Sequence, residues 1–410
     1  MRSNLQQLNN EGEIAMNVKK LSVILIVLFC IICLLSLVSC VPSDNGDPNG
    51  DGNTVKTYTV TWKNYNGDVL KVDEKVKEGA VPVYDGATPA RQSDGRYSYV
   101  FAGWTPQVAA VSGNVTYTAV FNAKLIGEPI AGVDPVLSDN GKTVKYGFYP
   151  QTHISDESLI AQLNELTPSQ TNGWFMLDGE YYVKSAAKVY NNENYTFDDG
   201  TAIVNGTEYW FKCEVIEWRV LSAQDGTYYL LSDKLLDAHN YYADYANRTD
   251  NGATVYSNNY AQSEVRKFLN GSFYDTAFAL NNAYVKATAV DNGAETTSSN
   301  GNLYACLDTT DKVYLPSYAD YLNARYGFHA TADETSQTRE SKTTDYARAR
   351  GAWYNTASTL EYNGSYWTRS PSDVYAYCAW NVNSGGVLSA YAVDGASHCA
   401  RPCITIGIAQ

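Results

Sequence analysis

The chain has four histidines, His153, His239, His329 and His398, the residue type whose unperturbed pKa lies near neutrality. None lies at the His-x-x-His or His-Glu-x-x-His spacing that sets two imidazoles on one helix face around zinc. The sequence has no Gly-x-Ser-x-Gly elbow for a serine nucleophile and no glycine-rich phosphate loop. Glu217 precedes Trp218, and an apolar neighbour raises a carboxyl pKa in the way a glycosidase acid requires. No second carboxylate is placed to work with it, and Glu217 falls inside an alternating, strand-like stretch. Asp47, Asn49 and Asp51 before Gly52 match the opening of a calcium-binding loop, but the twelfth position, which must be a bidentate acid, is Tyr58. No catalytic residue, cofactor or metal is therefore expected, and the chain reads as a non-enzyme. Recognition chemistry is better represented. Asp373, Tyr375, Tyr377, Trp380, Asn381, Asn383, Ser384, Tyr391, Asp394, Ser397 and His398 crowd one C-terminal stretch. Rigid aromatic rings among small amides and hydroxyls are what ligand-contacting surfaces are made of.

The elements that must position these residues are mostly strands. Between 366 and 406, Trp367, Ala379, Val382, Gly386, Leu388, Val393 and Ile404 supply strand and core positions. Upstream, Tyr209–Val215, Ile216–Leu221 and Thr227–Ser232 alternate with period two, and Gly226 marks a hairpin turn. Helical patterns are few: Asp156–Leu166 after a Ser155 cap, a turn after Ser263 and Glu264, and Lys312–Ala324. Residues 55–122 form a separate strand-rich module, residues 123–142 are Gly- and Pro-punctuated and read as a linker, and residues 143–410 form the larger domain. Of the cysteines beyond position 40, Cys213, Cys306, Cys378, Cys399 and Cys403, the odd count gives no clean disulfide framework. Cys378–Cys399 and Cys399–Cys403 pairs and free thiols all stay open.

At the N-terminus, Lys19 and Lys20 precede an uncharged apolar run from Leu21 to Ser39, the layout of an export signal. Its length approaches the ~20 residues of a membrane span, so a permanent transmembrane anchor is the rival reading. Leu37-Val38-Ser39-Cys40 resembles the lipobox of bacterial lipoproteins. That resemblance implies that residues 1–39 are a signal peptide and that the Cys40 thiol accepts a diacylglycerol. Residues 40–54 would then be a flexible tether, with the protein held to the membrane of the bacterial cell envelope on its extracytoplasmic side. The net charge of −14 argues against a nucleic-acid partner, because phosphate binding needs cations. Tyrosine is abundant, at 34 residues, more than Lys and Arg together. Both a contact surface and ordinary strand composition explain that.

Two further resemblances concern the domains. Tyr58-Thr59-Val60-Thr61-Trp62, Gly67-Asp68-Val69-Leu70, Val100-Phe101-Ala102-Gly103-Trp104-Thr105-Pro106 and Val115–Phe121 resemble the Listeria–Bacteroides repeat, also called the internalin B-repeat. It implies a β-grasp-like stalk or adhesion unit. Over residues 143–408 the series Tyr146–Thr152, Ile216–Leu221, Leu230–Asp233, Ser263–Asn270, Asp311–Leu315, Thr344–Ala347, Tyr366–Pro371 and Arg401-Pro402 resembles the family called domain of unknown function 6273. The ending is similar, more distantly, to C-type-lectin-like folds. Cys399-Ala400 and Cys403 depart from the family pattern, which leaves the local loop geometry open. Arg369 and Arg401 read as structural, each able to satisfy several carbonyls at once. The expected fold is α+β and strand-rich, a β-grasp-like module followed by a C-type-lectin-like domain. The expected function is a surface binding or adhesion protein for a glycan or protein ligand. A structural envelope lipoprotein without a discrete ligand, and an unrecognised carbohydrate-active enzyme, are the alternatives.

Overall fold

The computed structural model describes residues 55–169 and 172–408. The signal segment, Cys40 and the tether through residue 54, with Asp47, Asn49 and Asp51, lie outside the described residues.

The first sheet comprises β1 (Thr57–Lys63), β2 (Val69–Lys77), β3 (Tyr97–Thr105) and β4 (Val115–Leu125), in the order β2-β1-β4-β3 with β1 and β4 parallel. Alternation in β1 sends Val60 and Trp62 into a small core with Val111 and Tyr117. The Trp62 indole N–H, costly to bury alone, donates to Asp73 at 2.8 Å.

Seventeen further strands follow. They are β5 (Val136–Leu137), β6 (Thr143–His153), β7 (Phe175–Leu177), β8 (Glu180–Ala186), β9 (Glu208–Gln224), β10 (Thr227–Ser232), β11 (Asp237–Ala238), β12 (Arg248–Asp250) and β13 (Ala253–Val255), continuing with β14 (Thr288–Val290), β15 (Thr309–Asp311), β16 (Val313–Tyr314), β17 (Tyr366–Pro371), β18 (Cys378–Val382), β19 (Leu388–Ala392), β20 (Cys399–Ala400) and β21 (Cys403–Gly407). One sheet runs β16-β21-β10-β9-β6-β5, with β8 also on β9 and β7 on β8. A five-stranded sheet runs β11-β20-β17-β18-β19. The two stretches read at 209–221 are one strand, β9. It turns into β10 through Asp225 and Gly226, both at positive φ (49° and 74°), the type I′ geometry of a tight hairpin.

Helices are few and short. Helix α1 (Glu157–Asn164) is capped by Asp156, which accepts from the Ser158 and Leu159 N–H groups, so the cap stands one residue after the expected Ser155. Ser263 caps α2 (Glu264–Phe268) as read from the sequence; α3 (Tyr274–Ala277) and α4 (Asp345–Ala349) complete the α-helices among the described residues. The helix expected over 312–324 does not form. Val313 and Tyr314 pair with Ile404 and Cys403 instead, and after Pro316 the Ser317 and Asp320 side chains bond each other's backbone N–H, leaving only short 3-10 turns. All five described cysteines are free thiols, four of them buried.

From Thr57 onward the chain forms one compact unit. The segment 123–142, read as a linker, is an ordered junction. Buried Asp134 accepts from the Tyr97 hydroxyl, the Arg96 guanidinium and, at 2.8 Å, the Ile130 N–H. Asn281 then ties Tyr97 and the Val133 carbonyl to the larger domain.

Candidate functional site

The edge of the five-stranded sheet carries the candidate site. In antiparallel β18 and β19, Asn381 pairs with Ser389 and Ala379 with Tyr391, so Asn381, Ser389 and Tyr391 share one face. The Ser389 hydroxyl donates to the Asn381 carboxamide oxygen at 2.7 Å. Period two sends Trp380 to the opposite face, where it packs on Tyr318 at 4.7 Å and donates to Ser298.

The turn joining these strands is fixed from inside by Asn383, whose carboxamide oxygen accepts from the Gly385 and Val387 N–H groups. Gly386, at φ +77°, has no alternative: a Cβ there would meet the Ser336 carbonyl oxygen at 2.2 Å. Arg339, fully buried, holds this turn by donating to the Gly386 carbonyl and to those of Tyr321, His329, Thr331 and Glu334.

The loop 393–398 closes over the same face. Its backbone is pinned by Val393 to Tyr377, Trp353 to Ser397 and His239 to His398. These bonds set the His398 ring between Trp367 (4.4 Å between centroids) and Tyr391 (4.5 Å). The imidazole is 6 % exposed, and burial lowers its pKa to about 3, so it is neutral at physiological pH. Its buried Nδ1 has no hydrogen-bond partner. An unmatched buried polar atom costs about 1–3 kcal/mol.

A second wall comes from distant segments. Lys188 donates its N–H to the Ala349 carbonyl at 2.7 Å, which brings Tyr190 and Asn191 beside Arg350 and Gly351 at the end of α4. Arg350 lies 3.6 Å from buried Asp237, whose carboxyl burial pushes up. Between the walls lie two lobes. The larger, about 750 Å³, is bordered by Lys188, Arg350, His239 and Asp394. The smaller, about 290 Å³, is bordered by Tyr190, Trp353, Asn381, Asn383 and His398. Tyr190, Tyr391 and Ser397 border both, and Tyr391 is 47 % exposed.

Six of the sequence-read residues thus meet at the cleft: Asn381, Asn383, Tyr391, Asp394, Ser397 and His398. Asp373, Tyr375 and Tyr377 stand apart on an exposed loop that Ser372 and Asn258 hold by its backbone. Ser384 is buried and bonds Asn355. Sequence reasoning missed Lys188, Tyr190, Arg350, Trp353 and Ser389. The Tyr190-Asn191-Asn192 triplet was the signal available, an aromatic beside two asparagines that tolerate positive φ (48° and 53°).

Arg369 and Arg401 are structural. Arg369 donates to Asp320 and to the carbonyls of Asp291 and Leu315; Arg401 donates to the carbonyls of Ser232, Asp233 and Arg339 and to the Tyr366 hydroxyl. Elsewhere, His153 pairs with Asp199 at 3.0 Å, and Glu217 is exposed on β9.

No curated protein and no solved structure matches the chain. Residues 143–224, and with them Lys188 and Tyr190, fall outside the family match. The stretch carrying the five-stranded sheet, Arg350, Trp353 and both cleft loops, residues 225–408, matches the family described as Domain of unknown function (DUF6273).

Proposed function

We propose that this chain is a lipid-anchored, extracytoplasmic surface protein of the bacterial cell envelope that binds a glycan through the cleft of its C-terminal domain. The observation that carries the reading is the cleft itself. Tyr190, Trp353 and Tyr391 offer ring faces, while Asn381, Asn383, Ser397 and His398 offer fixed hydrogen-bonding groups beside them. Sugars present apolar C–H faces rimmed by hydroxyls, and such a mixture of rings and uncharged polar groups is complementary to both. The C-type-lectin-like reading of this domain rests on the sequence likeness. A ligand site built on loops at the edge of a sheet is compatible with it.

The module at 55–122 acts as the spacer. Its strand order, with a parallel central pair, supports the β-grasp-like reading, although residues 78–96 between β2 and β3 contain no helix. Lipid attachment at Cys40 places the cleft outside the membrane, joined through the 40–54 tether. The acidic surface keeps the protein from nucleic acid.

The test is binding of the full chain, purified in a non-glycosidic detergent, to a glycan array with calcium and with chelator. Specific binding that Tyr391→Ala removes is the expected result. A signal that survives Tyr391→Ala would move the site elsewhere, and an array silent in both conditions would overturn the glycan reading.

A further inference from the structure

The two lobes of the cleft differ in kind. The larger is bordered by charged groups, Lys188 and Arg350 on one wall and Asp394 on the other. The smaller is bordered by no Asp, Glu, Lys or Arg. A charged ligand group entering the smaller lobe would shed its water and meet no counter-ion, which disfavours it strongly. A neutral group with many hydroxyls meets partners on every side.

Size narrows the occupant further. About 290 Å³ is at the bottom of the range of ligand pockets, ~300–1,000 Å³, and suits one ring rather than a chain. The polar groups are also set in advance. His398 is clamped between Trp367 and Tyr391, and backbone bonds hold the residue on both sides. Its Nδ1 is unpartnered but buried inside the stack, and the residue as a whole borders the lobe. Asn381 is 2 % exposed, and its carboxamide is fixed by the Ser389 hydroxyl, which donates to its oxygen at 2.7 Å. Polar residues on rigid supports lose little entropy when a ligand arrives.

We infer that the smaller lobe is the subsite for a single uncharged sugar ring, stacked on Tyr391 and seated against the uncharged polar border that includes His398 and Asn381. The inference rests on the glycan-binding reading and specifies its primary subsite. The larger lobe, with its mixed charges, takes the flanking part of the ligand, and Tyr391 lies at the boundary of the two.

The experiment follows the ring nitrogens of ¹⁵N-histidine-labelled full chain by NMR, in a non-glycosidic detergent, during titration with methyl glycosides. Neutral hexosides and N-acetylhexosaminides are compared with hexuronates. The expected result is that a neutral glycoside moves the His398 ring signals in a saturable manner and that hexuronates do so about tenfold more weakly or not at all. Tyr391→Ala should weaken the neutral glycoside about tenfold, whereas Tyr375→Ala, on the separate exposed loop, should leave it unchanged. The histidine signal needs no variant, so the test stands even where Tyr391→Ala fails to fold.

Hexuronate binding that leaves His398 unmoved and is lost in Lys188→Ala would overturn this inference while leaving the glycan reading in place. Neutral glycosides that bind without moving His398 would overturn it too. Silence of all glycosides and of the glycan array would overturn both.

Discussion

The imidazole of His398 lies nearly parallel to the indole of Trp367, 24° between planes and 4.4 Å between centroids. Trp367 is itself fixed, fully buried with its indole N–H on the His239 carbonyl at 2.8 Å. The stack converts a loop histidine into part of the core, and it makes the His398 ring a rigid, uncharged border of the cleft.

That burial makes acid stability depend on His398. An imidazole in the unfolded chain titrates near 6.5, whereas the folded one is held at about 3 by desolvation. Between those values the unfolded state takes up a proton that the folded state refuses. This residue therefore lowers stability as pH falls through 6.5 towards 3 and contributes no pH dependence above that window. Urea midpoints of the wild type should fall more steeply than those of His398→Gln from pH 6 to pH 4. The excess is at most about 1.4 kcal/mol per pH unit. Parallel curves would show that the buried ring does not titrate in this way.

Arg339 should be the costliest single side chain to change near the site. Its guanidinium satisfies the Gly386, Tyr321, His329, Thr331 and Glu334 carbonyls, and a Lys ammonium has one donor centre where Arg has three. Arg339→Lys should lose about 3 kcal/mol or more, because several buried acceptors are left unmatched. It should also weaken ligand binding, since the Gly386 turn positions Asn383. Chemical denaturation measures the first effect. Binding measured well below the variant's melting point reads the second, and full affinity there would separate the turn from the site.

Local signals in the sequence were legible where the physics is local. Ser263 caps α2 because its hydroxyl meets the Arg266 N–H three residues on. Asp225-Gly226 turns the β9–β10 hairpin because both residues accept positive φ. The strand-rich character followed from alternation of the same kind, whereas the domain of unknown function rested on a likeness of motifs, which the family match bears out over residues 225–408. The cleft was only half legible. The crowding of rings and amides singled out Asn381 and Tyr391 but equally Tyr375 and Tyr377, whose loop lies outside the cleft. The opposite wall left only the Tyr190-Asn191-Asn192 triplet as a signal, and it was not read. Tyr190 borders the same cleft as Tyr391 where the Lys188 N–H finds the Ala349 carbonyl, more than 150 residues on, and no periodicity encodes such a pairing. The expected helix over 312–324 failed for a related reason, since β21 at the end of the chain claims Val313 and Tyr314.

The junction at Asp134 should hold the N-terminal module against the larger domain. Its carboxylate, 1 % exposed, is shared by Tyr97, Arg96 and the Ile130 N–H. Asp134→Ala leaves the Tyr97 hydroxyl, buried beside Tyr284, without an acceptor for its proton, although it still accepts from Asn281, and removes the side-chain tie to the Ile130 N–H. A loss of about 2 kcal/mol is expected, together with faster proteolytic cleavage within 126–133. Unchanged cleavage would show that the sheet contacts alone carry the junction.

Under the lipoprotein reading proposed above, membrane attachment would depend on a different chemistry, that of the Cys40 thiol, the nucleophile that would take the diacylglycerol. Each buried methylene contributes roughly 0.8 kcal/mol, and one acyl chain alone gives only reversible binding, so stable attachment needs the full lipid set. Cys40→Ala removes the only acceptor the Leu37-Val38-Ser39-Cys40 motif provides. The variant should incorporate no labelled palmitate, and it should either leave the membrane fraction or persist as a heavier, uncleaved precursor held by the apolar run at 21–39. Both outcomes separate the lipoprotein from the rival transmembrane anchor, which would be indifferent to the substitution. Normal cleavage together with normal lipid labelling in Cys40→Ala would remove the anchor and, with it, the placement of the cleft outside the membrane.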